Sequence, residues 1–146
     1  MKKNKNLYLI IIVVLIISGL LGFSYYLNNK GVEASNLPKD ALRDPVVREA
    51  YEYVVGNPEF LDYIPCYCNC YGLGHKNIKN CFVSKFKSNG NVVFDHHAVD
   101  CAICYHTVLD SKKLFQQGKS VQTIRDFIDN KYSRYGDGTG TSTPKP

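Results

Sequence analysis

Ile64-Pro65-Cys66-Tyr67-Cys68-Asn69-Cys70 places three cysteines within five residues. In an extended segment, residues two apart point the same way. The three sulfurs are therefore expected on one face, about 6–7 Å apart, with Tyr67 and Asn69 facing the other way. Neighbours in such a row are poorly set to bridge each other, because a disulfide needs a narrow range of Cα separations and Cβ directions. Their partners must come from elsewhere, and three more cysteines are available: Cys81, Cys101 and Cys104. A row of thiols has two sensible partners, a soft metal ion or other thiols.

The flanking sequence sets this row in a helical frame. Pro65 disfavours helix at Ile64, so the chain should leave helical geometry just before Cys66. Upstream, Asp44-Pro45 reads as an N-cap and first helical position. Val46, Val47, Ala50, Tyr51 and Val54 then follow at helical spacing until Gly56-Asn57-Pro58 stops the run. Glu59 to Tyr63 reads as a short helical turn. Downstream, the pattern predicts a turn over Gly72 to Gly74, a short helix over Asn77 to Phe86 carrying Cys81, a turn over Ser88 to Asn91, and an extended Val92 to Phe94. Asp100 is expected to cap a helix from Cys101 to about Gln117, ended by Gly118. Ser120 is expected to cap another, with Val121, Ile124, Phe127, Ile128 and Tyr132 on one face.

The fold class is thus mainly α: an N-terminal transmembrane helix plus one small helical domain, residues 41–135, with a cysteine-rich loop. Residues 7–27 are almost wholly apolar, and about 20 such residues span a bilayer. Lys2, Lys3 and Lys5 make residues 1–6 the cytoplasmic end and put the rest outside, anchored in the cell membrane. Val32-Glu33-Ala34 before Ser35 has the small-residue look of a cleavage site, so a secreted form cut after Ala34 is the alternative. Residues 28–40 read as a linker and 136–146 as a disordered tail rich in Gly, Thr, Ser and Pro. The domain is small for a self-sufficient core, which makes a metal or disulfide staple useful.

The net charge of +5 includes the three N-terminal lysines, which leaves +2 for the remainder. That remainder has no basic stripe interleaved with aromatics, so nucleic acid is not an expected partner. No nucleophile–base pair, phosphate loop or carboxylate pair stands out, and an enzyme is not expected.

The candidate ligands are Cys66, Cys68, Cys70, Cys81, Cys101, Cys104, His75 and His97. Cys101 and Cys104, three apart, share one side of a helix, in the first turn where the dipole favours thiolate. His97, four residues before Cys101, falls toward that side, and His75 follows the row. His106 sits two residues past Cys104 and points away; His96 adjoins His97.

Two readings of the cysteines stand. They and the histidines coordinate metal, or the three early thiols pair with the three late ones, in a connectivity that sequence does not fix. Outside the cytoplasm oxidation is the default. Against it, three bridges radiating from five residues crowd the backbone. For a metal, copper(I) comes first because a thiolate-rich site is soft. Zinc is close behind, since the only methionine is Met1 and thioether ligands are absent. An iron–sulfur cluster ranks third, there being no arginine before Arg43 to form a twin-arginine signal. The functional alternatives are a thiol–disulfide redox protein using Cys101 and Cys104, without the βαβ pattern that usually accompanies one, and a surface domain stapled by disulfides.

Pro65-Cys66-Tyr67-Cys68-Asn69-Cys70 resembles the signature of the PCYCGC-motif proteins, a family of extracytoplasmic bacterial proteins. The likeness continues through Gly74-His75, Asn80-Cys81-Phe82, the spacing of His97 to Cys101, Cys101-Ala102-Ile103-Cys104 and the closing stretch Gly118 to Tyr132. It implies surface location and a cysteine-centred site, and leaves the activity open. Asn69 stands where the family has Gly; Asn also tolerates left-handed backbone. Many members look like lipoproteins, whereas this chain has no cysteine before Cys66 to accept a lipid.

Overall fold

A computed structural model describes residues 2–28 and 37–141. The chain divides into two units, Met1–Gly31 and Val32–Pro146. In the first, helix α1 (Lys2–Asn28) carries an 18-residue apolar window, Leu7–Ser24, none of it buried. At 1.5 Å per residue that window is about 27 Å long, close to the hydrocarbon thickness of a bilayer. It meets the length and composition of a membrane span and, lying near the N-terminus, of a signal sequence. Val32-Glu33-Ala34, the expected cleavage site, lies outside the described residues.

The second unit holds α2 (Pro45–Gly56), α3 (Pro58–Leu61), β1 (Val83–Phe86), β2 (Val92–Phe94), α4 (Ala102–Gln116) and α5 (Val121–Tyr132), joined by turns and single-turn 3-10 segments. It is mostly helical, as the sequence pattern predicts. Asp44 caps α2 by accepting the Val46 N–H at 2.8 Å, and Ser120 caps α5 by accepting the Thr123 N–H at 3.2 Å. Each cap satisfies an N–H that has no partner inside its helix. Helix α4 lies between α2 and α5 and packs on both. Tyr51 and Val54 of α2, Val108 of α4, and Ile124 and Ile128 of α5 meet Leu61, Ile64, Ile78 and Phe82 in one buried core. Val46 and Phe127, expected on the inner faces, are outside it, 40% and 41% exposed.

Three boundaries differ from expectation. The helix predicted over Asn77 to Phe86 is a 3-10 turn, Ile78–Cys81, followed by β1, which pairs antiparallel with β2. Val83, Phe86, Val92, Val93 and Phe94 are strand-forming residues, and Gly90, at φ +84°, closes the connection between them. Cys101, not Asp100, occupies the N-cap of α4, so the predicted start shifts by one residue. The packed region also extends past 41–135 at both ends: Leu37, read as linker, is buried, and Thr139, read as disordered tail, is 3% exposed. Residues 142–146 lie outside the described residues.

Candidate metal centre

The cysteine row enters from α3. The Ile78 N–H donates to the Ile64 carbonyl at 2.9 Å and holds the row against the turn that bears Cys81. At Cys66 the backbone is bound from the other side. Its N–H donates to Thr139 Oγ1 and its carbonyl accepts from the Thr139 N–H, both at 3.0 Å. Tyr67 faces away from the sulfurs, as alternation predicts, and its hydroxyl donates to Asp129 of α5 at 2.7 Å. Asn69 then adopts φ +60°, the left-handed conformation. The chain turns there, and Cys70 opens a 3-10 turn, Cys70–Leu73.

The expected spacing is not kept, either before this turn or after it. The sulfurs do not run 6–7 Å apart along one face; they converge. Cys66 and Cys68 Sγ lie 3.1 Å apart, Cys68 and Cys104 3.6 Å, Cys66 and Cys104 3.7 Å, and Cys70 and Cys81 3.6 Å. All six cysteines are free thiols. Every one of these separations exceeds the roughly 2.05 Å of a disulfide.

Two groups of four ligand atoms result, each within 4.8 Å of one another. One is Cys66, Cys68, Cys70 and Cys81; the other is Cys68, His97, Cys101 and Cys104. An ion with metal–sulfur bonds of about 2.3 Å sets the corners of its tetrahedron about 3.8 Å apart. Within the groups the separations given above run from 3.1 to 3.6 Å and no pair exceeds 4.8 Å, a range that brackets that length.

The structure thus brings the six candidate cysteines and His97 into the two groups. His97 Nε2 lies 3.4 Å from Cys68 Sγ. His75 is buried beside the first group, its Nδ1 3.4 Å from Cys81 Sγ, but belongs to neither. Its ring packs edge-on against His97, with centroids 5.5 Å apart. His96 and His106 are exposed.

Crowding divides the thiols electrostatically. A side-chain hydrogen bond from Cys104 holds the Cys66 thiol down to about 4. Contacts with Cys101 and Cys104 also lower Cys68, whereas contacts with Cys66 and Cys68 push Cys70 up. Cys104 is pushed up as well, first by Cys101 and then by Cys66. The metal-free cluster shares its protons: a few sulfurs take the thiolate character and their neighbours donate to them.

Asp95 is the supporting residue that sequence reasoning missed. One carboxylate oxygen lies 3.5 Å from His75 Nε2, and the other accepts the backbone N–H of His97 at 2.8 Å. Asp95 is itself fixed: its N–H donates to the Phe82 carbonyl at 2.8 Å and its carbonyl accepts the Tyr51 hydroxyl at 2.7 Å. Asp95 thus holds the backbone of the turn that carries His97, while its ring contact is to His75, outside both ligand groups. The signal available beforehand was an acid directly preceding His96-His97.

A helical domain with a thiol cluster in its core and an imidazole at the edge defines a cysteine-rich class of candidate metal-binding domain, here following an apolar N-terminal helix. Within that class the chain belongs to the PCYCGC-motif family, whose model, described as a protein of unknown function with PCYCGC motif, matches residues 26–146. No curated protein and no solved structure matches the chain.

Proposed function

We propose that the protein is a membrane-tethered, extracytoplasmic metal-binding protein that handles a soft or borderline ion rather than catalysing a reaction. One observation carries this reading: the six thiols and His97 converge into two four-ligand groups, each with all its ligand atoms within 4.8 Å of one another, where a disulfide-stapled domain would set them in pairs. Four-fold thiolate and mixed thiolate–imidazole sets suit zinc, which moves zinc ahead of copper. An iron–sulfur cluster remains third. Lys2, Lys3 and Lys5 support the orientation, with α1 in the membrane and the domain outside. The partners that follow are the ion, the membrane, and a membrane protein that receives or senses the metal.

The redox alternative draws on a specific feature. Cys101 is partly exposed at the N-cap of α4, with Cys104 in its first turn. Purification of the full chain in detergent without oxygen, with a thiol count and elemental analysis, separates the readings. Stoichiometric metal on reduced thiols is the expected result. Two reactive thiols without metal identify a redox pair, and no free thiols without metal identify a stapled domain.

A further inference from the structure

We propose that the cluster takes two ions, bridged by the Cys68 thiolate, one held permanently and the other exchangeable. This rests on the metal-binding reading above and deepens it.

The two ligand groups share one residue, Cys68. A bridging sulfur must reach ligands of both ions, and Cys68 Sγ does. It lies 3.1 Å from Cys66 in one group, and 3.4 Å from His97 Nε2 and 3.6 Å from Cys104 in the other. A single tetrahedral ion uses four ligands and would leave three of the seven idle. If it filled the first group, fully buried Cys104 would touch the centre without binding; if it filled the second, Cys66, Cys70 and Cys81 would do so.

The groups differ in access. Cys66, Cys70 and Cys81 are 0%, 3% and 0% exposed, and the segment bearing Thr139 closes over Cys66. In the second group only Cys104 is buried; Cys68, His97 and Cys101 are partly exposed. His97 stands in a single 3-10 turn and Cys101 at a helix cap. The first group is thus the inner, structural position, and the second is the outer one, from which an ion can pass to an acceptor.

The test uses the full chain in detergent, kept without oxygen and loaded with cadmium-113 as a spectroscopic stand-in for a divalent ion. Two ions per chain are expected, with two resonances split by mutual scalar coupling through a shared sulfur. A competing chelator should remove one ion quickly with the helical circular dichroism intact, and the second slowly with loss of that signal. Cys101→Ser should bind one ion and stay folded, while His106→Ala keeps two. Cys68→Ser should abolish the coupling; if it fails to fold, Cys101→Ser and the wild-type coupling still decide. One ion per chain overturns the two-ion proposal but leaves metal binding standing. Two ions without coupling overturn the bridge, and equal release rates overturn the division of roles. No metal on reduced thiols overturns this proposal and the metal-binding reading together.

Discussion

Asn69 sets the far half of the row in a single torsion. Its φ of +60° turns the chain between Cys68 and Cys70, and Cys70 meets Cys81 beyond it, while Cys66 and Cys68 already meet before it. Left-handed backbone costs most L-residues about 1–2 kcal/mol, less for Asn, and nothing comparable for Gly. Asn69→Gly should therefore fold and bind metal as well as the wild type, whereas Asn69→Val should lose about 1–2 kcal/mol in denaturant unfolding and bind metal less tightly. Equal stability of the two variants would show that the torsion is not limiting. The side chain has a second contact: a methyl group added at Gly136 would run into it. The tolerance of Asn for this conformation is readable from the sequence. The convergence of the sulfurs is not, because strict alternation assumes a regular extended chain, and that assumption fails both at Cys66–Cys68 and at the left-handed Asn69.

Among the elements, the helices are the most legible, because their information is local. Asp44-Pro45 and Ser120 mark the starts of α2 and α5, and both caps are made as the residues suggest. The hairpin was legible too: Asn89-Gly90 lies between Val83–Phe86 and Val92–Phe94, a turn signal between strand-forming runs. The helix expected over Asn77 to Phe86 runs across its first strand and hides it. The C-terminal segment is different in kind. Gly, Asp and Thr at 136–141 carry no periodic signal, and the contact of Thr139 with Cys66 spans 73 positions of sequence. Its value is testable at Thr139, whose hydroxyl accepts the buried Cys66 N–H. Thr139→Val keeps the shape and removes the acceptor, which should cost about 1–3 kcal/mol. The melting temperature should fall, and Cys66 should become reactive to alkylating reagents in the metal-free protein. An unchanged melting temperature would mean that this hydrogen bond contributes nothing.

At the scale of the whole molecule, the proposed ion would compete with acid for the same sulfurs. Cys70 and Cys104 are pushed up, so near neutral pH they are protonated and an ion must displace those protons. Cys66, held down to about 4, is already a thiolate there and adds nothing to the slope. Apparent affinity should therefore rise with pH, by more than tenfold per unit between about pH 6 and pH 8, in competition titrations against a chelator whose own protonation is known. A flat profile would place the ion elsewhere. The N-terminus of the native protein decides the tether: an intact Met1 or Lys2 in the membrane fraction is expected, and a chain beginning at Ser35 in the medium would remove it. Thr139 bears on the same journey. On the proposed topology the cysteine row crosses the bilayer ahead of residues 136–141, which complete the enclosure of Cys66. A centre finished on the far side would then be filled from metal outside the cell.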